Sequence, residues 1–409
     1  MRALPTLLLA SGLLAGPALA QVTAPVSGSN GDSSVRLYPQ FAGEVDVRIF
    51  SQSVTSAPDR RERGTNLFVR SEIASALHLS PEFSIQNVIH VEPIGETEPN
   101  GVVAGFRYTA AYIEELRLDW RPSERFVLYG GKFSAPFGRG HHDFPGLLLD
   151  VRAHEAYLIR ESLGAGFTWT YLSDTRFGDH DLSAAVFTLD TSFLSETAFT
   201  RRRCCEGDFE RFSRNARRQG GPGNTGQLDN FVLSLDGDNM PFLPNTSYHL
   251  AILSRGAGVD GTKREWGFAA GLRHEIRWTP DIRTLLFAEY VQFRGAGGNP
   301  REAGPEILDA FGEATGAFED VTVSERRRFT TVGARTQWGP WRATVGFQRD
   351  ERKRSANTVP RASYVEASIG RDLPLNFRLD VGYQRTVGGE TREDKTDAVI
   401  AVLGWRARF

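Results

Sequence analysis

Apolar and polar residues alternate along most of this 409-residue chain. Within 341–348 every odd position is apolar and every even position is polar or glycine, and the same rhythm occurs in 266–273 and 377–384. Successive side chains of a strand point to opposite faces, so each such segment predicts a strand with one apolar and one polar face.

The alternation predicts sixteen strands. Several are longer than ten residues, whereas strands of soluble proteins usually have about five or six. Such lengths suit tilted strands that cross a membrane, although a soluble sandwich would show the same local rhythm. The predicted strands cover 36–50, 64–77, 81–92, 107–121, 124–137, 160–172, 178–190, 227–237, 243–256, 264–279, 281–294, 326–338, 340–351, 361–371, 374–387 and 396–409.

The connections between these strands alternate in length. Seven are short and several contain turn residues, as at 79–82, 121–124, 279–281, 339–340 and 372–374. The other eight are mostly longer and more polar, as at 51–63, 93–106, 138–159, 191–226 and 295–325. Short periplasmic turns and long outer loops are typical of outer-membrane barrels. The pattern therefore predicts an all-β fold over 36–409: a transmembrane antiparallel β-barrel of about 16 strands.

The first 35 residues differ from the rest. Residues 1–20 combine a positive start, an apolar stretch and an Ala18-Leu19-Ala20 end, which predicts a cleaved secretory signal peptide. Residues 21–35 are rich in Ser, Gly, Asn and Thr and predict a flexible lead-in. We therefore expect export through the periplasm to the bacterial outer membrane.

Composition excludes several other classes of protein. The formal net charge is −2, with 48 Lys+Arg against 50 Asp+Glu, which disfavours nucleic acid as a partner. Two cysteines exclude a disulfide scaffold and a four-thiolate zinc site. After residue 20 no apolar run approaches the ~18 residues of a membrane-spanning helix.

The phase of each strand divides the side chains into two sets. The outward set holds apolar and aromatic residues, many at strand ends, where aromatic girdles form: Val45, Val47, Trp120, Tyr129, Trp169, Tyr171, Trp266, Trp278, Trp338, Trp341, Tyr383, Trp405 and Phe409. The inward set is ionic: Glu44, Asp46, Arg48, Arg70, Glu72, Glu115, Arg117, Asp119, Lys132, Arg273, Glu275, Arg277, Arg335, Arg342, Arg378, Asp380, Arg406 and Arg408. Unpaired charges in a dry core cost several kcal/mol each. The inward set therefore predicts a water-filled lumen.

Two segments resemble known outer-membrane barrels. Residues 401–409 alternate up to the final Phe409, and such an end is similar to the sorting signal of these proteins. Residues 129–138, Tyr-Gly-Gly-Lys-Phe-Ser-Ala-Pro-Phe-Gly, resemble a strand of porins related to the phosphate-selective type, where it leads into an inward loop. The resemblance implies a porin fold and a loop that narrows the pore. It does not extend to phosphate selectivity, because the chain has only four lysines and lacks the lysine-rich loop of those members.

The loop 138–159 is the predicted constriction, because it is the most apolar of the long loops and would otherwise expose that surface to water. The alternatives are that 138–159 is a surface loop packed on a neighbouring loop, or that it latches one subunit to another. The predicted pore-lining residues are Lys132, Arg139, His141, His142, Asp143, Asp150 and Arg152, together with Arg70, Arg117, Arg273, Arg342 and Arg378 on the wall. A metal at His141-His142-Asp143 is disfavoured, because adjacent residues rarely converge on one ion. No cofactor is predicted.

These features predict a porin for passive diffusion of small hydrophilic solutes. Eleven Lys/Arg against seven acids in the inward set indicate a weak anion preference. A substrate-specific transporter and a barrel enzyme are the alternatives, but the eight histidines fall in no catalytic motif and Gly-x-Ser-x-Gly is absent. We expect small hydrophilic solutes or anions, the lipid bilayer and lipopolysaccharide as partners, with a homotrimer and a single barrel as the two alternatives for assembly. The arginines at 201–203 and 214–218 either contact lipopolysaccharide phosphates or form a solvated loop, and Cys204-Cys205 between them is able to form a vicinal disulfide.

Overall fold

The structure is a computed structural model that describes residues 38–94, 103–139, 144–199, 213–299, 301–308, 314–389 and 394–409. The predicted signal peptide (1–20) and lead-in (21–35) lie outside these residues. The strands are β1 (Gln40–Ser56), β2 (Gly64–His78), β3 (Phe83–Pro93), β4 (Val103–Gly105), β5 (Thr109–Ser123), β6 (Phe126–Ala135), β7 (Ile159–Asp174), β8 (Gly178–Leu189), β9 (Asn230–Asp238), β10 (Thr246–Arg255), β11 (Glu265–Thr279), β12 (Ile282–Arg294), β13 (Arg301–Leu308), β14 (Ala314–Thr322), β15 (Glu325–Trp338), β16 (Trp341–Arg354), β17 (Ala362–Asp372), β18 (Phe377–Val387) and β19 (Lys395–Arg408). One α-helix, α1 (Leu148–Tyr157), lies between β6 and β7.

Sixteen of the strands form a closed antiparallel barrel, as predicted. Consecutive strands pair around the sheet, and β1 pairs with β2 on one side and with β19 on the other. The short β4 runs parallel to β2 at its edge, and β13 with β14 forms a separate hairpin within the connection that was predicted only as a long loop. Closure pairs the backbone groups of both terminal strands, which a sheet in lipid requires.

The seam between β1 and β19 is completed by the last residue. The backbone N–H of Gly43 donates to the carbonyl oxygen of Phe409 at 2.9 Å, and the reverse bond is 3.0 Å. The ring of Phe409 lies 5.5 Å from that of Phe41. A Cβ added at Gly43 would lie 2.4 Å from the Phe409 ring, so the seam depends on the missing side chain.

The two ends of the barrel differ in their connections. At one end, the turn end, neighbouring strands are joined by two to seven residues, and at the other, the loop end, by seven to forty. This confirms the predicted sorting of the connections. The first strand is shifted from the predicted 36–50 to Gln40–Ser56, because the polar residues after Phe50 still pair with both neighbouring strands.

The outer surface carries the aromatic residues assigned to it, with one exception. Trp169, Trp266 and Trp278 are between 45% and 63% exposed, as expected for side chains that face lipid. Tyr129 is an error in the prediction, since it is only 4% exposed and packs at 5.1 Å against Phe133 in the interior. Among the described residues, no helix is long and apolar enough to cross a membrane.

Candidate functional site

The segment 136–158 connects β6 to β7 and contains α1, and its described residues, 136–139 and 144–158, lie inside the barrel. Its described residues contact inward side chains of β10, β12, β15, β17 and β1. These strands are spread over more than half of the sixteen-strand ring. A segment outside the wall could not touch all of them, so the predicted inward position of this loop is what the structure describes.

Both ends of the segment are held at one place on the wall. The backbone N–H of Arg139 donates to Glu289 Oε1 at 2.7 Å, and the Tyr157 hydroxyl donates to Glu289 Oε2 at 2.6 Å. Gly138, with φ +81, lies so close to Tyr157 that an added Cβ would be 3.1 Å from its ring. Glu289 on β12 therefore closes the segment into a loop.

The hydrogen-bond donors at this attachment define the tautomer of His249 and the role of the Tyr157 hydroxyl. Gly138 N–H donates to His249 Nε2 at 3.1 Å, so Nε2 is the acceptor and His249 Nδ1 carries the proton that goes to Asp236 at 2.8 Å. Burial and the adjacent Glu289 carboxylate raise the pKa of Tyr157 well above its usual value. The tyrosine therefore stays a protonated donor at neutral and mildly alkaline pH.

The N-terminus of α1 is capped by a residue from the wall. Leu147 at the N-cap makes no side-chain capping bond, so the first N–H groups of the helix need another acceptor. Glu366 on β17 supplies it: its carboxylate accepts from the backbone N–H of Leu147, from that of Leu148 at 2.9 Å and from that of Leu149 at 3.0 Å. A negative charge at this end also interacts favourably with the helix dipole.

The body of the helix is fixed by apolar packing and by two charged contacts. Leu149 is buried against Phe287 and Tyr364. Asp150 Oδ2 accepts from Arg48 Nη1 at 3.2 Å, and the guanidinium of Arg152 lies 3.7 Å from the centre of the Tyr364 ring. The predicted residues Asp150 and Arg152 thus contact two strands of the wall, β1 and β17, which are three positions apart in the ring.

Inward arginines form a continuous arc in the turn-end half of the lumen. They come from β11, β12, β15, β16, β18 and β1, which are close together in the ring: Arg273, Arg283, Arg335, Arg342, Arg378 and Arg48. Among the described residues, Arg48, Arg283, Arg342 and Arg378 have a carboxylate within ion-pair distance, as in Arg342–Asp380 at 2.7 Å and Arg378–Asp46 at 3.1 Å. We call these six residues the basic arc.

Arg335 is the least compensated member of the basic arc. The charges acting on it are those of Arg342, Arg283 and Arg273, and the carboxylate of Asp150. Among the described residues no carboxylate lies within ion-pair distance of it. The guanidinium is therefore free to meet a mobile anion in the lumen.

The opposite wall is acidic. Asp179 and Asp181 on β8, and Asp236 and Asp238 on β9, interact with one another. In the ring of sixteen strands β8 lies eight positions from β18, so the carboxylates stand across the lumen from Arg378. The arrangement places a transverse electric field over the space that solutes would cross.

The remaining predicted wall residues lie in another sector. Arg70 is ion-paired with Glu92, and Arg117 Nε lies 2.9 Å from Asp119 Oδ1. Both side chains face inward but are enclosed by neighbouring charges, away from the basic arc that holds Arg273, Arg342 and Arg378. The predicted His141, His142 and Asp143 lie outside the described residues.

Lys132 is a correction to the predicted pore lining. It lies on the face of β6 opposite to Phe133, whose ring belongs to the interior cluster, and it is 0% exposed. Its Nζ is 3.0 Å from Asp190 Oδ2 and donates to the Leu194 carbonyl oxygen at 2.9 Å. The phase of β6 is therefore the reverse of the predicted one, which also explains the error at Tyr129.

The residues that hold the segment escaped the sequence analysis. Glu289 and Glu366 occupy ordinary inward positions of alternating strands, and each binds a backbone more than one hundred residues away along the chain. No local pattern distinguishes them from carboxylates that face water. His249 was noted only as one of eight histidines without a motif.

Together these observations define a closed sixteen-stranded antiparallel barrel with a charged lumen and a long loop folded into it. No protein-family model and no curated protein matches the sequence. Among solved structures the chain is similar to OprB of Pseudomonas putida (TM-score 0.56, 9% identity, 90% of this chain and 94% of that chain). It is also similar to the outer membrane channel DcaP of Acinetobacter baumannii (0.53, 12%, 90% and 97%) and to a loop L8 deletion mutant of OmpT, an outer membrane protein of Vibrio cholerae (0.50, 9%, 90% and 99%). At these identities the likeness establishes the fold.

Proposed function

We propose that the protein is an outer-membrane channel for passive diffusion of small hydrophilic solutes, with a weak preference for anions. The observation that carries the proposal is the segment 136–158, held inside the barrel beside an arc of arginines. A barrel of this strand number is wide enough to leave an aqueous interior. A loop fixed inside it against part of the wall would narrow the aqueous passage that remains.

The anion preference is supported by the imbalance at Arg335. Most other arginines of the basic arc are matched by carboxylates such as Asp46, Asp150 and Asp380. An uncompensated guanidinium in the lumen lowers the energy of an anion next to it and raises that of a cation. The likeness to a protein described as a channel agrees with this proposal.

Single-channel current of the refolded chain in a planar bilayer under a KCl gradient tests the proposal. We expect steady conductance steps and a reversal potential of the sign given by anion selectivity. A variant in which a short Gly/Ser linker replaces residues 144–156 should give larger conductance steps than the unaltered chain. A folded barrel that conducts no current would refute the channel, and cation selectivity would refute the preference.

A further inference from the structure

A basic cavity opens on the wall of the barrel near its loop end. Its volume is about 670 Å³, and it lies beside the loop-end termini of β15, β16, β17 and β18. Arg352, on the inward face of β16, also lines the cavity. Arg326, Arg328, Lys353 and Arg361 border it, with Glu351 among them. We call this group the outer basic cluster. It is separate from the basic arc of the lumen.

The outer basic cluster faces away from the lumen. Arg326 and Arg328 lie on the same face of β15 as Val332, which is 41% exposed, whereas Phe329 on the other face is buried against the inward segment. On β16, Glu351 and Lys353 share a face with the exposed Val345. Alternation therefore places these charges on the surface that continues the lipid-facing wall.

The cluster has an excess of positive charge. Glu351 is the shared acceptor of three arginines, with contacts of 2.9 Å to Arg349 Nε, 3.2 Å to Arg361 Nε and 3.8 Å to Arg328 Nη1. Lys353 and Arg326 stand directly opposite each other in the strand register. Like charges at such a position are destabilising, and within the described residues no carboxylate pairs with either. The four cations of the cluster and the neighbouring Arg349 thus share one carboxylate, and an external anion would relieve the repulsion.

The height of the cluster matches the outer edge of a bilayer. Trp341 marks the turn end of β16, and Glu351 follows ten residues later along the same strand. At about 3.3 Å per residue and a tilt of roughly 40°, this is about 25 Å along the barrel axis, the height of the apolar band of outer-membrane barrels. On the same face the next row towards the turn end is Thr330–Arg349–Ser363, and the row after it, Val332–Phe347–Val365, is apolar and in register.

From this geometry we propose that the outer basic cluster binds the phosphate-bearing head group of an anionic lipid in the outer leaflet. The phosphate occupies the cavity between Arg326, Lys353 and Arg361, and the acyl chains lie along the apolar row below. Arginine suits this ligand, because its fixed fork of donors matches phosphate oxygens. The proposal rests on the proposed location in the outer membrane, but not on the conduction of solutes.

A lipid accounts for the position better than a free anion does. A free anion would be bound equally well within the lumen, whereas this cavity opens at the level where lipid phosphates are concentrated. The apolar row beneath the cavity adds contact area that only an acylated ligand can use. The test therefore compares the phosphate alone with the phosphate on a lipid.

The test measures binding of diphosphorylated lipid A to the refolded full chain in detergent micelles by native mass spectrometry. The variant carries Arg326→Gln and Lys353→Gln. Each cation near a lipid surface contributes about fivefold in affinity, so we expect binding to weaken about 30-fold. The matched control, Arg125→Gln with Arg371→Gln, removes two exposed cations near the turn end and should bind as the wild type does.

Three results would overturn the proposal: equal affinity of the double variant and the wild type, equal binding of dephosphorylated lipid A, or binding of inorganic phosphate with the same dependence on the two residues. A change of electrophoretic mobility on heating shows that each variant has folded. In a planar bilayer the double variant should retain wild-type conductance, since its side chains face outward. A protein that binds the lipid but carries no current would refute the proposed function alone.

Discussion

Replacing Glu366 by Gln should loosen the segment inside the lumen while leaving the barrel wall intact. The carboxylate of Glu366 accepts three consecutive backbone N–H groups at the start of α1. It is 1% exposed, and Gln384 Nε2 is its further donor at 3.3 Å. Gln keeps the size of the side chain but presents an NH2 group where one oxygen stood.

The magnitude follows from the bonds that Gln cannot make. A hydrogen bond to a charged acceptor contributes about 1.5–3 kcal/mol, and loss of a charge at a helix N-terminus costs a further ~0.3–1 kcal/mol. With one oxygen retained, we expect the anchoring of the segment to weaken by about 3 kcal/mol. At 1.4 kcal/mol per factor of ten, the released state becomes about 100-fold more populated, while the contacts of Glu289 and Arg48 keep it the minor state.

Single-channel recording detects this release as excursions to a higher conductance. Glu366→Gln should show them about 100-fold more often than the wild type, at an unchanged main level. Glu72→Gln on β2 is the matched control, because it removes one partly exposed inward carboxylate for which no contact with the segment is seen among the described residues. Records of Glu366→Gln that match those of the wild type, from a barrel shown to be folded, would refute the capping role.

Three further changes test other contacts. Tyr157→Phe removes the hydroxyl that donates to Glu289 at 2.6 Å and should increase the same excursions about 10- to 100-fold; an unchanged record would show that the packing of the ring suffices. Arg335→Gln should lower the anion-to-cation permeability ratio roughly two- to fivefold, measured as a reversal potential; a shift toward anions would contradict the role of its charge. Gly43→Val places a side chain where the Phe409 ring lies and should destabilise the folded barrel by about 1–3 kcal/mol, measured by urea unfolding in micelles; wild-type stability would show that the ring is dispensable at the seam.

Alternation predicted the barrel well because each strand has one face towards water and one face towards apolar surroundings. The segment 340–351 was predicted as a strand, and β16 covers Trp341–Arg354 with Arg342 facing inward. The alternation of apolar and polar residues gives the wrong faces in β6, where Tyr129 points inward and Lys132 lies on the opposite face. Two adjacent glycines and an ionic partner from a distant loop make both faces of that strand mixed, so its phase cannot be deduced locally.

The attachments of the inward segment were beyond sequence reasoning for a different reason. A helix inside the barrel needs acceptors for its first N–H groups, but nothing local indicates which strand supplies them. The acceptor on β17 follows the helix by more than two hundred residues. Only closure of the barrel brings the two together, so the loop was predicted as a constriction while the residues that hold it were not.

The inward segment contributes charge to the lumen as well as bulk. Asp150 accepts from Arg48 at 3.2 Å and also acts on Arg335, so the helix carries a carboxylate into the basic arc. Removing the segment would therefore widen the pore and increase its positive charge together. Asp150→Asn separates the two effects, because it removes the charge and keeps the helix packed through Leu149. If the segment governs selectivity through charge, this variant should favour anions more strongly at nearly unchanged conductance, whereas a purely steric constriction would leave the reversal potential where it was.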